Sequence, residues 1–210
     1  MHVNAAPYNL SFTAASLRPE LARIVAEYFL IERDWEKAKE RILSTNALQC
    51  RSASSAVRLE RELRQRLGTL TGEQLIVLAQ ATAEDRAAMA WLATCKHTSF
   101  AFEFAAEALR DKLAAHDPIL RPSDYETYVE IKAVARPELM KLSGTTKSKI
   151  RQVLLLMLSE AGLLGEGIAL GTIQRPVLSP VVLHAVTSDD PRWLAGFLVP
   201  DREIGGPSFS

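Results

Sequence analysis

The sequence has few cysteines, no excess of either charge and no long apolar run. Two cysteines in 210 residues, Cys50 and Cys95, are too few for a disulfide scaffold and form no CxxC pair. That usage points to a reducing compartment. Apolar stretches are short, as over residues 153–158, which is six residues, against roughly 18 for a membrane span. The first twelve residues lack both a basic start and an apolar core, so no secretory signal is expected. A cytoplasmic protein with no membrane partner is the expectation.

Enzyme signatures are missing as well. A phosphate-binding loop ending at Lys147-Ser148 would need glycine where Lys141 and Thr146 stand. Gly165 and Gly167 follow a helical pattern and lack the third glycine of a dinucleotide fingerprint. The histidines are scattered, and the Cys95–His97 pair reads as a helix end with a buried thiol. No catalytic residue, cofactor or metal is expected.

What is present is a helical pattern. Hydrophobic residues make up 48% of the chain and charged residues 24%, enough to build a core. Leu21, Ile24, Val25, Tyr28 and Phe29 recur at helical spacing after Pro19. Asp34, Thr71 with Gln74, Thr82, and Ser123 with Glu126 are N-terminal capping signals. Gly68 would close a third helix, about 52–67, in the left-handed conformation. Pro118 and Pro122 punctuate the middle. Beyond them come a short helix over 137–142, a turn at 143–145 and a long helix from 146 to about 161. Gly165, Gly167 and Gly171 frame either a two-stranded wing or irregular loop. The expected fold class is all-α, with at most one short β-ribbon near residues 165–178. Two packed helical subdomains are expected, 1–120 and 121–199, each with a helix-turn-helix-like element, followed by a flexible tail over 200–210.

The zero net charge hides a partition. Residues 45–70 carry five basic and two acidic groups, and residues 143–159 carry three basic groups and no acid. Separated fields of this kind steer a polyanion even when the whole is neutral. In the third helix, Arg51, Ser54, Arg58, Arg61 and Gln65 form a stripe opposite Ala56, Leu59, Leu63 and Leu67. Arginine and serine on one helix face suit phosphate and guanine contacts. The competing reading is a solvated helix whose arginines pair with Glu60, Glu62 and their neighbours. In the long helix, Ile150, Val153, Leu154 and Met157 make a buried stripe, and Leu155 and Leu156 on the other side would need cover. Its first third stays polar and basic, the mounting of a recognition helix. The competing reading there is a core helix with a solvated first turn.

Two of these segments resemble the BrxA family, small components of BREX (bacteriophage exclusion) phage-defence systems. Ser54-Ser55-Ala56-Val57-Arg58-Leu59, with Arg61-Glu62 and Arg66-Leu67, is similar to its SSAxRL helix. KSKIRQVLLLMLSEAGLL, from Lys147 onward, is similar to its K-x-R-Q-V-L…M-L-x-E-A-G-L-L helix, and Pro176 to Pro180 fits its P-x-L-S-P ending. The likeness runs from about Tyr8 to Leu198. It implies a helical, non-enzymatic protein that binds double-stranded DNA beside methyltransferase, ATPase and phosphatase-like subunits. Arg51, Ser54, Ser55 and Arg58 in one element, and Thr146, Lys147, Lys149 and Arg151 in the other, would face the DNA; Arg61 joins them from the stripe. One departure is the connection over 45–51, longer than a standard helix-turn-helix turn. The alternative function is a helical adaptor joining other defence subunits, with DNA or RNA contact incidental.

Overall fold

The computed structural model describes residues 7–205. A 3-10 turn, Ser11–Ala14, precedes α1 (Pro19–Glu32), α2 (Trp35–Ser44), α3 (Ala53–Leu67), α4 (Gly72–Gln80) and α5 (Ala83–His97). Side chains that take an otherwise unpaired first-turn N–H set most of these starts. Asp34 accepts from the Glu36 and Lys37 N–H groups, Thr71 and Gln74 complete a reciprocal box, and Thr82 accepts from Asp85. Gly68 departs from expectation. Its φ is −63°, in right-handed geometry, with its N–H on the Arg64 and Arg66 carbonyls.

Helix α1 packs against α2, α4 and α5, and α3 lies against α1, α2 and α5. At the centre Trp91, Phe12, Phe100, Phe104 and Phe197 are fully buried, and the Trp91 indole donates to the Gly196 carbonyl at 2.9 Å. After α5 the chain forms α6 (Ser99–Glu103), a π-helical turn (Phe104–Leu109) and α7 (Arg110–Ala114). The π turn keeps Phe104, Ala105 and Leu109 all in the core.

The next stretch holds β1 (Ile119–Leu120), α8 (Pro122–Ala135), a 3-10 turn at Pro137–Leu139, α9 (Gly144–Glu160), β2 (Leu164–Gly165) and β3 (Gly171–Ile173). The three strands form one antiparallel sheet in the order β1-β3-β2, with Ile119 opposite Thr172 and Leu164 opposite Ile173. The β-ribbon therefore forms, enlarged by a strand at 119–120 that the sequence did not indicate. Residues 168–170 turn between β2 and β3 instead of extending. Ser123 does not cap α8. Proline at 122 takes the first helical position, and the Asp124 carboxylate accepts from the Arg121 N–H at 2.7 Å. The short helix expected over 137–142 is the three-residue 3-10 turn. The long helix starts earlier than expected, at Gly144, because the Ser143 hydroxyl accepts from the Thr146 N–H.

Chain reversal at the wing depends on Gly171. Its φ is +132°, and a Cβ there would sit 2.7 Å from the Gly165 carbonyl oxygen and 2.9 Å from Leu164 Cγ. Gly171→Ala is expected to destabilise the protein by about 1–3 kcal/mol. A thermal melt would show the loss, and faster amide exchange concentrated in β2 and β3 would locate it.

After the sheet the chain returns to the first helices. The α10 helix (Pro180–Thr187), capped by Ser179, packs on α4, and a 3-10 helix over Pro191–Phe197 packs on α5. The expected tail begins with a further helical turn, α11 (Asp201–Ile204), tied down by Arg110–Asp201 at 2.6 Å and by Arg175–Glu203. Residues 206–210 of that tail lie outside the described residues. Buried side chains from both halves of the chain join one contiguous core. Among the described residues no helix is long and apolar enough to cross a membrane.

Candidate nucleic-acid interface

Helix α3 presents two faces of different chemistry. Ala56, Leu63 and Leu67 are buried, and so are Glu60, Glu62 and Arg66. The Arg66 guanidinium donates to Glu62 from both Nε (2.9 Å) and Nη2 (2.7 Å), and to the carbonyls of Phe12, Ala15 and Ser16. Burial pulls the Arg66 pKa below its ordinary value, yet a guanidinium stays charged at any physiological pH. Arg64 donates to Glu60 at 2.8 Å, and burial holds the Glu60 carboxyl above the usual carboxylate range. The pairing anticipated for a solvated helix is thus real, but it involves Arg64 and Arg66 only.

The arithmetic of this segment becomes structural. Both acids of residues 45–70 are taken by Arg64 and Arg66, so the excess of three positive charges resides on Arg51, Arg58 and Arg61. All three are exposed, and none has a hydrogen bond or ion pair among the described residues. Ser52 caps the helix by accepting from the Ser55 N–H, and its hydroxyl meets those of Ser54 (3.2 Å) and Ser55 (2.9 Å). Ser54 and Ser55 are exposed beside Arg51.

The start of α9 repeats this chemistry. Ser143 accepts from the Thr146 N–H, and its hydroxyl meets those of Thr145 (2.9 Å) and Thr146 (2.8 Å). Thr146 and Lys149 are exposed, and the Lys149 amine reaches only Gln152 of its own helix, at 3.3 Å. Lys147 and Arg151 are half-buried at the edge of an open groove of about 440 Å³ between α8 and α9. Arg151 lies 3.5 Å from Glu126, whereas the Lys147 amine has no partner among the described residues. By helical position the outward face of α9 carries Thr145, Ser148, Lys149 and Gln152, all exposed. Leu155 is half-buried and Leu156 is 49% exposed, so the cover expected for that side is incomplete. Ser143, Thr145, Ser148, Gln152 and Ser52 were not among the nine expected residues. The signal for the hydroxyl clusters was the repeated pattern Ser-small-Ser/Thr-Ser/Thr at 52–55 and 143–146.

A further feature is common to these two helix starts, shared with the serine-capped eight-residue α10. Among described helices of nine or more residues, α1, α2, α4, α5 and α8 each carry an acid in the first turn, while α3 and α9 carry none. A first-turn carboxylate ordinarily offsets the partial positive charge of the unpaired N–H groups. At α3 and α9 that positive end stays uncompensated, flanked by hydroxyl donors and cations. Such an arrangement is chemically suited to an external anion.

Among the described residues no hydrogen bond or ion pair joins the two sets, but their helices are tied at the opposite ends to one segment. Arg66 holds the carbonyls of residues 12, 15 and 16, and Glu160, at the end of α9, accepts from the Ser16 hydroxyl (2.8 Å) and the Leu17 N–H (2.6 Å). No group of three or more histidine, cysteine, aspartate or glutamate residues among the described residues could hold a metal ion.

The BrxA family model matches residues 6–190. The chain belongs to the BrxA family. It is 26% identical over 141 residues to a relative described as BREX protein BrxA, from Escherichia coli O9:H4 (strain HS). That alignment covers 67% of this chain and 66% of the relative, so it spans just under two thirds of that BrxA's length. The fold is also similar to the crystal structure of an uncharacterized protein from Magnetospirillum magneticum, with a TM-score of 0.79 at 18% identity. That match covers 92% of this chain and 98% of the other.

Proposed function

We propose that this BrxA-family chain is a non-enzymatic accessory protein of a BREX phage-defence system, acting in the cytoplasm, that binds double-stranded DNA through the starts of α9 and α3. The observation that carries the reading is the pair of acid-free helix starts, each with a serine cap, a hydroxyl cluster and cations lacking carboxylate partners. Contacts of this kind go to phosphate oxygens and position a duplex without reading much sequence. The order β1-α8-α9-β2-β3, with β3 central in the sheet, supports a winged helix-turn-helix reading, in which α9 would take the recognition position. Thr146, Lys147, Lys149 and Arg151 would contact DNA from α9, and Arg51, Ser54, Ser55, Arg58 and Arg61 from α3. In this reading each subdomain, 1–120 and 121–199, contributes one element. Other subunits of the defence system are proposed as partners through exposed apolar side chains such as Val134 (84%) and Val177 (98%).

Fluorescence anisotropy of a labelled duplex across a salt series tests this. Six candidate cations set a limit of about −5 on the slope of log affinity against log salt, at about 0.9 per phosphate. Binding to duplex with a slope between −2 and that limit is expected. No duplex binding at physiological salt, together with a protein partner retained at high salt, would make the chain an adaptor.

A further inference from the structure

Arg58 and Arg61 do more than line a helix face. With Gln65 they line a pocket of about 390 Å³ that is also bounded by Asn9, Ser11, Ala14, His97 and the buried Glu62. The Asn9 carboxamide is fixed on both sides. Its oxygen accepts from the Ser11 N–H at 3.1 Å, and its nitrogen lies 3.0 Å from His97 Nε2. An amide donor there requires an unprotonated Nε2, in keeping with the burial that lowers the His97 pKa. The imidazole is therefore neutral and engaged. Glu62 is already matched by Arg66, whose two bonds both go to Oε1. The pocket thus holds two guanidinium groups without partners among the described residues, beside a hydroxyl and an amide.

We infer that this pocket binds a phosphate monoester carried on a nucleoside-sized group. The phosphate sits between Arg58 and Arg61, and the hydroxyl-bearing end points toward Glu62. Two forks of guanidinium donors suit a terminal phosphate, which offers three oxygens and close to two negative charges. Glu62, the one acid among the lining residues, disfavours a second anion but accepts from hydroxyl or amino donors, matching a ligand that is anionic at one end only. The space is at the lower end for small-ligand sites, about 300–1,000 Å³, and exceeds what a bare phosphate fills. A concave pocket of this size admits a chain terminus or a free nucleotide. The shared chemistry is the monoester, whether on a free nucleotide or on the 5′ end of a DNA strand. The inference does not depend on α9 binding duplex.

Calorimetric titration of the full chain with adenosine 5′-monophosphate and with adenosine is the first arm. The second compares duplexes bearing 5′-phosphate or 5′-hydroxyl ends by anisotropy. A free-nucleotide site binds the monophosphate and not the nucleoside. A strand-end site binds the phosphorylated duplex at least threefold more tightly than the hydroxyl duplex. In either case Arg58→Ala/Arg61→Ala is expected to remove at least tenfold of the monophosphate affinity, or to abolish the end preference. Both arginines are exposed, so an unchanged melting temperature would confirm that the variant folds. Charge reversal of Lys147 and Lys149 would leave the phosphate preference intact while testing the duplex reading separately. The inference is overturned if neither the monophosphate nor the end phosphate is distinguished, or if the distinction survives in the double-arginine variant.

Discussion

Replacing Arg66 with methionine is expected to destabilise the protein by about 3–5 kcal/mol. Methionine matches the length and flexibility of the arginine stem, so the deficit would be electrostatic more than steric. Glu62, 5% exposed, would keep a buried charge with no counter-ion, and the carbonyls of Phe12, Ala15 and Ser16 would lose their donor. Removing both charges in Arg66→Met/Glu62→Leu is expected to recover part of this loss, because an apolar pair can replace a buried ion pair. Recovery would be incomplete, since the carbonyls stay orphaned. Urea melts on the wild type and the three variants, completed by Glu62→Leu alone, give the coupling directly. If the double variant matched or exceeded the wild type, the carbonyl bonds would carry no weight. Local loosening of residues 11–17 should accompany the single Arg66 change, because the same segment anchors α9 through Glu160.

That guanidinium also explains where sequence reasoning stopped. Caps were legible because they need only a side chain and an N–H two or three residues away. Asp34, Thr71 and Thr82 all behave as their spacing indicates. Ser123 failed because proline at 122 starts the helix one residue earlier. The identity of the free cations in α3 was not legible. Glu62 has an arginine four residues away on each side, Arg58 and Arg66, and spacing alone gives neither an advantage. Three carbonyls more than 45 residues distant settle the competition by drawing Arg66 inward, which leaves Arg58 to solvent. The strand at 119–120 was equally hidden. Two residues carry no periodicity, and they extend only because Thr172 and Gly171 lie opposite. Fold class, both basic segments and the family were accessible from local pattern and motif; the third strand and the sorting of paired from unpaired arginines required tertiary contacts.

Reversing Lys147 and Lys149 to glutamate should move stability and binding in opposite directions, which makes it the sharpest probe of α9. Two phosphate contacts would be lost, and the new carboxylate at 147 would join Glu126 and Glu130 around the groove. Duplex affinity is expected to fall on the order of a hundredfold, with the salt slope flattened by about 2, one for each lysine. Folding should not suffer. The first turn of α9 has no acid, Ser143 still caps it, and glutamate near a helix start is favourable by a few tenths of a kcal/mol, about 0.3. A melting temperature equal to or above that of the wild type, beside the collapsed affinity, would separate a contact from a folding defect. Lys149 lies on the outward face and Lys147 at the groove edge, so Lys149→Glu alone is expected to account for more of the loss. Equal affinity in the folded double variant would remove α9 from the interface. The uncompensated positive end of that helix would then serve a protein carboxylate on another subunit instead of a nucleic-acid phosphate.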